Sequence, residues 1–324
     1  MGTFVYSVLH FLVDFLCAFG MLRFFTGDAN GAANILIYNF CAFALQMPMG
    51  AAMDSFAENK PRAPAVYASL GVALTILGMF THPGILGLGN AVFHVGGGID
   101  VIREDQRRSK RGRLLGIFVA PGALGLFLGG QMARSPAFML PMILVCLLPV
   151  LALFRLPEPE IPSPPEHTNG SLLPCLCCFL VVILRSYIGL SIAFSWKTGF
   201  LPGLTAVCAV VLGKVAGGFA TARLGSRKTA LVTLGLAALC YLREDVPVLG
   251  TLALFFFNMT MPLTLYKLWL RWPRFPGTTF GVLTFGLFLG FLPVTLGWQL
   301  PLDGVLGSLL SLGLLLPVVW REEP

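Results

Sequence analysis

Charge is scarce in this chain. Only 11% of its 324 residues are Asp, Glu, Lys or Arg, where soluble domains carry roughly a quarter. Long polar loops are missing as well: the one polar, proline-rich stretch is Leu156–Ser171. There is no Gly-x-x-x-x-Gly-Lys-Ser/Thr loop to cradle phosphates, so ATP does not drive the protein directly. There is no His-Glu-x-x-His zinc helix and no Gly-x-Ser-x-Gly nucleophile elbow. With loops this short, an enzyme would need its chemistry inside a bundle of apolar helices, so the chain is expected not to be an enzyme and to need no cofactor. The eight cysteines, Cys17, Cys41, Cys146, Cys175, Cys177, Cys178, Cys208 and Cys240, all sit in or at the ends of apolar runs. Disulfide frameworks belong to small exposed scaffolds, so these read as small hydrophobic residues. The Cys175, Cys177, Cys178 cluster leaves a soft metal or a lipid as the alternative to packing.

What the chain has instead is apolar length. Hydrophobic residues make up 56% and the mean hydropathy is +0.82. A hydrocarbon core of ~30 Å takes about 20 helical residues. Twelve segments approach that length: 4–25, 31–54, 63–81, 83–103, 114–132, 136–155, 171–194, 199–222, 228–242, 246–268, 277–298 and 303–320, with 228–242 the shortest. The first lacks a basic leader, so it reads as a span rather than a cleaved signal. The expected fold class is therefore an all-α membrane protein of twelve transmembrane helices in two six-helix bundles. The bundles are residues 1–155 and 171–324, joined by a proline-rich linker over 156–170. Pro157, Pro159, Pro162, Pro164 and Pro165 stop that linker from continuing a helix. A two-by-six plan is that of a secondary transporter built from repeated halves around a central site.

The net charge of +7 is not a nucleic-acid signal. With the N-terminus cytoplasmic, the inside connections carry Lys60, Arg62, Arg103, Arg107, Arg108, Lys110, Arg111, Arg113, Arg155, Arg223, Arg227, Lys228, Lys267, Arg271, Arg274 and Arg321, 16 of 22 basic residues. Only Arg23, Arg134, Lys197 and Arg243 fall outside, while Arg185 and Lys214 lie within spans. Such a bias puts both termini in the cytoplasm of a multi-pass plasma (inner) membrane protein. Trp269, Trp272, Trp298 and Trp320, near expected helix ends, suit an interfacial belt.

Both halves carry related punctuation after their second segment. The first runs Gly50-Ala51-Ala52-Met53-Asp54 and then Lys60-Pro61-Arg62; the second runs Gly218-Phe219-Ala220-Thr221-Ala222-Arg223-Leu224-Gly225-Ser226-Arg227. This resembles the loop signature of the major facilitator superfamily, Gly-x-x-x-Asp-Arg-x-Gly-Arg-Arg, with Ser55 and Ala57 departing in the first copy and Ala222 in the second. Gly116 to Gly130, with Pro121, Gly122 and Gly125, is similar to the glycine/proline helix of the superfamily's antiporters, whose glycines let helices five and eight pack closely. His10-Phe11-Leu12-Val13-Asp14, Gln46-x-Pro48-x-Gly50, Leu88-Gly89-Asn90-Ala91-Val92-Phe93-His94 and Leu184-Arg185-Ser186-Tyr187 are together similar to the fosmidomycin-resistance branch. Where that branch has Pro-Glu-Ala-Ser after the histidine, this chain has Val95-Gly96-Gly97-Gly98. The resemblance implies a central cavity lined by helices one, four, seven and ten.

Ionisable groups at bilayer depth cost ~2.5–3.5 kcal/mol each on insertion scales, so each is a candidate. His10 and Asp14 are four apart and share a helix face. Asp14 is the expected proton-coupling carboxylate, joined by His94 and His10. Burial disfavours its charge and a nearby cation favours it, so changing surroundings can load and unload a proton. The alternative is a fixed structural ion pair. Arg185 and Lys214, without an intramembrane acid in their own half, are the expected substrate ligands, with Asn39 and Asn258. Gly50, Asp54, Asp100, Arg103, Pro121, Gly122, Gly218 and Arg223 are the expected conformational and gating positions, Asp100 with Arg103 as a pair. His10, Asp14 and His94 offer too thin a set to expect a metal. The expected function is proton-coupled export of a small organic anion or drug-like compound by alternating access, the chain acting as a monomer in the bilayer. Uptake by symport and a non-transporting receptor or lipid-handling role stay open.

Overall fold

In the computed structural model the described residues are 2–27, 29–158, 160–163 and 172–320. The helices are α1 Gly2–Gly20, α2 Gly31–Asn39, α3 Gln46–Ala57, α4 Ala63–Thr81, α5 Pro83–Arg107, α6 Arg113–Val119, α7 Gly122–Met132 and α8 Met139–Arg155. They continue as α9 Leu172–Ser191, α10 Phe200–Leu224, α11 Ser226–Tyr241, α12 Pro247–Asn258, α13 Thr260–Arg271, α14 Pro276–Thr295 and α15 Gly304–Val319. One π-turn, Met21–Phe25, extends α1, and another, Phe40–Ala44, leads from α2 toward α3. Helical structure occupies each of the twelve expected segments, with ends shifted by a few residues. Among the described residues ten spans are long and apolar enough to cross a membrane, while Gly304–Val319 is apolar but shorter. The protein is a multi-pass membrane protein. Of the expected linker, Leu156–Glu158 and Glu160–Ser163 are non-helical; Pro159 and 164–170 lie outside the described residues, as does Arg321.

Two compact units form. The first comprises Met1–Arg108, Pro121–Pro164 and Arg274–Phe285; the second comprises Ser109–Ala120, Pro165–Pro273 and Gly286–Pro324. These differ from the linear halves at two short segments, 109–120 and 274–285. The first segment leaves its half where Pro121, lacking an N–H, breaks the helix between α6 and α7.

In the first unit α1 and α5 form the centre, with 78% and 83% of their apolar windows buried, against 17% for Pro136–Arg155, which is left for lipid. Glycine makes this possible. Gly96 of α5 lies against Ala68 N and Pro64 O of α4, where an added Cβ would come within 2.7 Å of both, and Gly71 of α4 lies closer still to the backbone of Phe93 in α5. Gly125 and Gly129 of α7 press on the backbone of Phe11 and Phe15 in α1. Such backbone-to-backbone approach stands in for hydrophobic association, which lipid does not provide. In the second unit Gly213 and Gly217 of α10 meet the carbonyls of Phe255 and Met259, and Gly304 of α15 meets the ring of Tyr241.

Candidate functional site: a buried His–Asp–His–Asn cluster

The α1–α5 seam carries polar groups at several levels. Thr3 gives its amide and hydroxyl to Glu104 Oε2 at 2.8 and 2.6 Å, and Tyr6 gives its hydroxyl to Asp100 Oδ2 at 2.6 Å. Further along, His10, Asp14, Asn90 and His94 come together, exposed by 6, 7, 1 and 6%. The four-residue spacing on each helix is what brings them to one seam: His10 and Asp14 share a face of α1, Asn90 and His94 a face of α5.

Hydrogen-bond chemistry fixes the protons. His94 Nδ1 lies 2.8 Å from the Asn90 carbonyl oxygen, which can only accept, so Nδ1 carries a hydrogen. The neutral His94 ring then presents a bare Nε2. His10 Nε2 faces it at 2.9 Å and is the donor. Asp14 Oδ2 stands 3.3 Å from the same His10 nitrogen and Asp14 Oδ1 stands 3.9 Å from His94 Nε2. Asn90 Nδ2 donates to Asp14 Oδ1 at 2.8 Å, which orients the carboxylate. Ligating atoms of His10, Asp14 and His94 fall within 4.8 Å of one another. Two imidazoles on a tetrahedral zinc, each at about 2.0–2.1 Å, would hold their nitrogens roughly 3.3 Å apart. The observed 2.9 Å is a hydrogen-bond length, so the geometry suits a shared proton better than a metal.

The arrangement offers the two histidines more than one set of acceptors. A further proton puts hydrogens on both facing nitrogens, which then repel across 2.9 Å. The two oxygens of Asp14 are the acceptors to which both N–H groups can turn. Gly122, at the start of α7, closes the cluster on a third side: a Cβ there would run into His10 Nε2 and Asp14 Oδ2. The expected proton-coupling residues are therefore together. Asn90 was missed as a member; its signal was an amide one turn from His94 in an apolar helix.

The gating residues are distributed differently. Asp54 accepts from the amides of Gly277 and Thr278 at 2.7 and 2.8 Å and from the Thr278 hydroxyl at 2.8 Å. It thus caps α14, as an acid against a helix N-terminus should. Gly50, one turn earlier, touches the Gly277 carbonyl. Asp100 and Arg103, expected as a pair, lie close enough to interact electrostatically but take other hydrogen-bond partners. Asp100 receives the Tyr6 hydroxyl, and Arg103 Nη2 reaches the Ala57 carbonyl at 2.9 Å, the free end of α3 attracting the donor. A Cβ on Gly116 would meet the Lys214 carbonyl and stand 3.2–3.3 Å from the Gly218 backbone, so the glycines of the fifth and eighth segments do meet. Arg223 is exposed.

Among the substrate candidates, Asn39 and Asn258 give their side-chain amides to the carbonyls of Ile35 and Leu254, four residues back on their own helices. Lys214 Nζ donates to the Val119 carbonyl at 3.1 Å. Arg185 is different: 6% exposed in α9, its Nη1 and Nη2 have no hydrogen-bond partner among the described residues. Cys175, Cys177 and Cys178 are buried free thiols. Trp269, expected at an interface, is only 5% exposed because α13 turns it inward.

No family model matches the chain, and no curated protein sequence does. Solved structures do. The fold is similar to the E. coli fucose:proton symporter FucP, with TM-score 0.64 and 14% identity over 99% of this chain and 97% of that one. A FucP structure in the outward conformation gives 0.61 and 12% over 100% of both. The human organic anion transporter MFSD10 (TETRAN) gives 0.64 and 17% over 98% of both. The chain shares the fold of these structures, the second of which is of a major facilitator superfamily transporter.

Proposed function

We propose that the protein is a secondary transporter that works by alternating access, exporting a small organic anion or drug-like compound in exchange for protons. In this reading it acts as a monomer in the plasma (inner) membrane with both termini cytoplasmic. The observation that carries the reading is the buried cluster: two imidazoles 2.9 Å apart with a carboxylate beside both. A group that takes up and releases a proton needs acceptors for its protonated form, and the two Asp14 oxygens beside the histidines supply them in this reading. With the cluster neutral outside Asp14, the histidines bond to each other; with an added proton, both turn to Asp14. Cargo enters the scheme through Arg185, a buried cation with no partner on its guanidinium ends. The likeness to an organic anion transporter supports an anionic cargo. The likeness to a proton symporter favours uptake as the second reading.

The test is proton movement in proteoliposomes loaded with a pH-sensitive dye, across a panel of phosphonates, carboxylates and amines. Substrate-triggered movement in the wild type, absent in Asp14→Asn, is the expected result. Its sign against the substrate gradient separates antiport from symport. Silence toward every class, from protein shown to be folded, would overturn the transport reading.

A further inference from the structure

Arg185 has a neighbour at its own depth that shares its condition. The end of α9 meets the start of α15, because the Tyr187 hydroxyl accepts from Leu300 N at 2.8 Å and lies 3.2 Å from Leu300 O. The two helices therefore run antiparallel. Near that end Ile188 fills the space that Gly307 leaves, a Cβ on Gly307 coming within 2.7 Å of its side chain. One turn along, Arg185 lies three residues before Ile188 and Ser311 lies four after Gly307, so both stand on the facing surfaces at the same level. Ser311 is fully buried and its Oγ has no hydrogen-bond partner. That is not the habit of this helix: Ser308 bonds to the Gly304 carbonyl at 2.7 Å. Membrane serines ordinarily close on their own backbone in this way.

An unpaired buried guanidinium is costly, and so is an unsatisfied hydroxyl on the facing helix. We infer that the group they await is a single carboxylate of the cargo, its two oxygens on the Arg185 fork and one of them also accepting from Ser311. This rests on the transporter reading above and narrows its cargo to monocarboxylates. Charge counting makes the choice. Lys214 is committed to Val119. Lys267, the other buried cation of this unit, is near Cys178, seven residues before Arg185 on α9, or about 10 Å along the helix. One positive charge at this level neutralises one negative charge. A phosphonate dianion or a dicarboxylate would bring a second charge that nothing there compensates. A carboxylate also matches the planar, bidentate guanidinium, which a spherical halide does not.

The experiment uses the purified full-length chain in detergent and follows thermal stability and titration calorimetry. The probes, at constant ionic strength, are a set of aliphatic and aromatic monocarboxylates, succinate, methylphosphonate and chloride. Some monocarboxylates should stabilise the wild type, binding roughly ten- to a hundredfold more weakly in Arg185→Gln. Ser311→Ala, a near-isosteric change that should fold, weakens binding by a smaller factor, and Arg185→Lys does not restore it because the fork is lost. Arg185-dependent binding of succinate or methylphosphonate instead would overturn the single-charge argument and leave the organic-anion reading standing. Stabilisation by chloride alone would reassign the site to an inorganic anion. No Arg185-dependent response to any anion would sink both.

Discussion

The cap that Asp54 places on α14 makes a prediction with a size. Two of its three hydrogen bonds are to backbone amides, Gly277 at 2.7 Å and Thr278 at 2.8 Å. Hydrogen bonds to a charged group contribute ~1.5–3 kcal/mol each. The two together hold this helix start against local opening by about 3–6 kcal/mol, with the Thr278 hydroxyl adding to it. At 1.4 kcal/mol per tenfold, losing them should raise amide exchange at residues 277 and 278 by roughly 10²–10⁴. Hydrogen exchange read by mass spectrometry on detergent-solubilised Asp54→Ala tests this, using a peptide across 274–285. Asp54→Asn, which keeps one acceptor oxygen, should fall between. A peptide from α5 should be unmoved, because a general loss of structure would accelerate it too. Exchange of the 274–285 peptide within threefold of wild type would refute the argument that the carboxylate holds this helix start.

Three further outcomes follow from single contacts. Asn90→Ala removes the 2.8 Å bond that orients Asp14 and should cost about 1–3 kcal/mol of stability, with substrate-driven proton flux falling more than substrate binding; equal losses in both would count against an orienting role. Gly122→Ala drives a methyl group into His10 and Asp14 and should cost ~1–3 kcal/mol through overpacking, seen as a lower melting temperature, whereas an alanine at Gly235, inside α11 with nothing within 4 Å, should be neutral to stabilising by up to about 1 kcal/mol. Trp320→Ala removes the ring that Arg227 covers at 3.7 Å and should cost about 0.5–1 kcal/mol in chemical denaturation; no measurable change would show the stacking to be incidental.

Much of this was legible in the residues. Hydrophobic length marked the apolar helices, ten of them long enough to span among the described residues, and the four-residue step of His10–Asp14 marked the face of α1 that the cluster uses. Asp54 was readable as a cap because an acid after a glycine-spaced helix end needs amides to accept. What could not be read is which partner each long side chain would find. Lys214 has a flexible stem and reaches the Val119 carbonyl, far away in sequence. Asp100 and Arg103 are three apart on α5, close enough to suggest a pair, yet Tyr6 and Ala57 compete successfully from other helices. The assignment of segments 109–120 and 274–285 to their units was hidden for the same reason: contacts distant in sequence decide it.

The state of each buried ion separates the two roles. Asp14 is surrounded by partners: Asn90 donates to one oxygen and His10 stands by the other. In the proposed reading the histidines offer Asp14 partners in either protonation state. Arg185 has no such relief: a guanidinium does not give up its proton at ordinary pH, and among the described residues nothing hydrogen-bonds to its ends. On that reading one site balances its charge internally and suits a proton, while the other awaits an anion. The same asymmetry predicts that Arg185→Met should raise the melting temperature of the ligand-free protein, since a well-packed apolar side chain replaces an uncompensated charge. It should do so while abolishing anion-dependent stabilisation. Asp14→Leu should lower the melting temperature instead, because it strands the buried Asn90 amide. If both substitutions destabilise alike, the distinction between an internally balanced site and one that awaits its ligand fails.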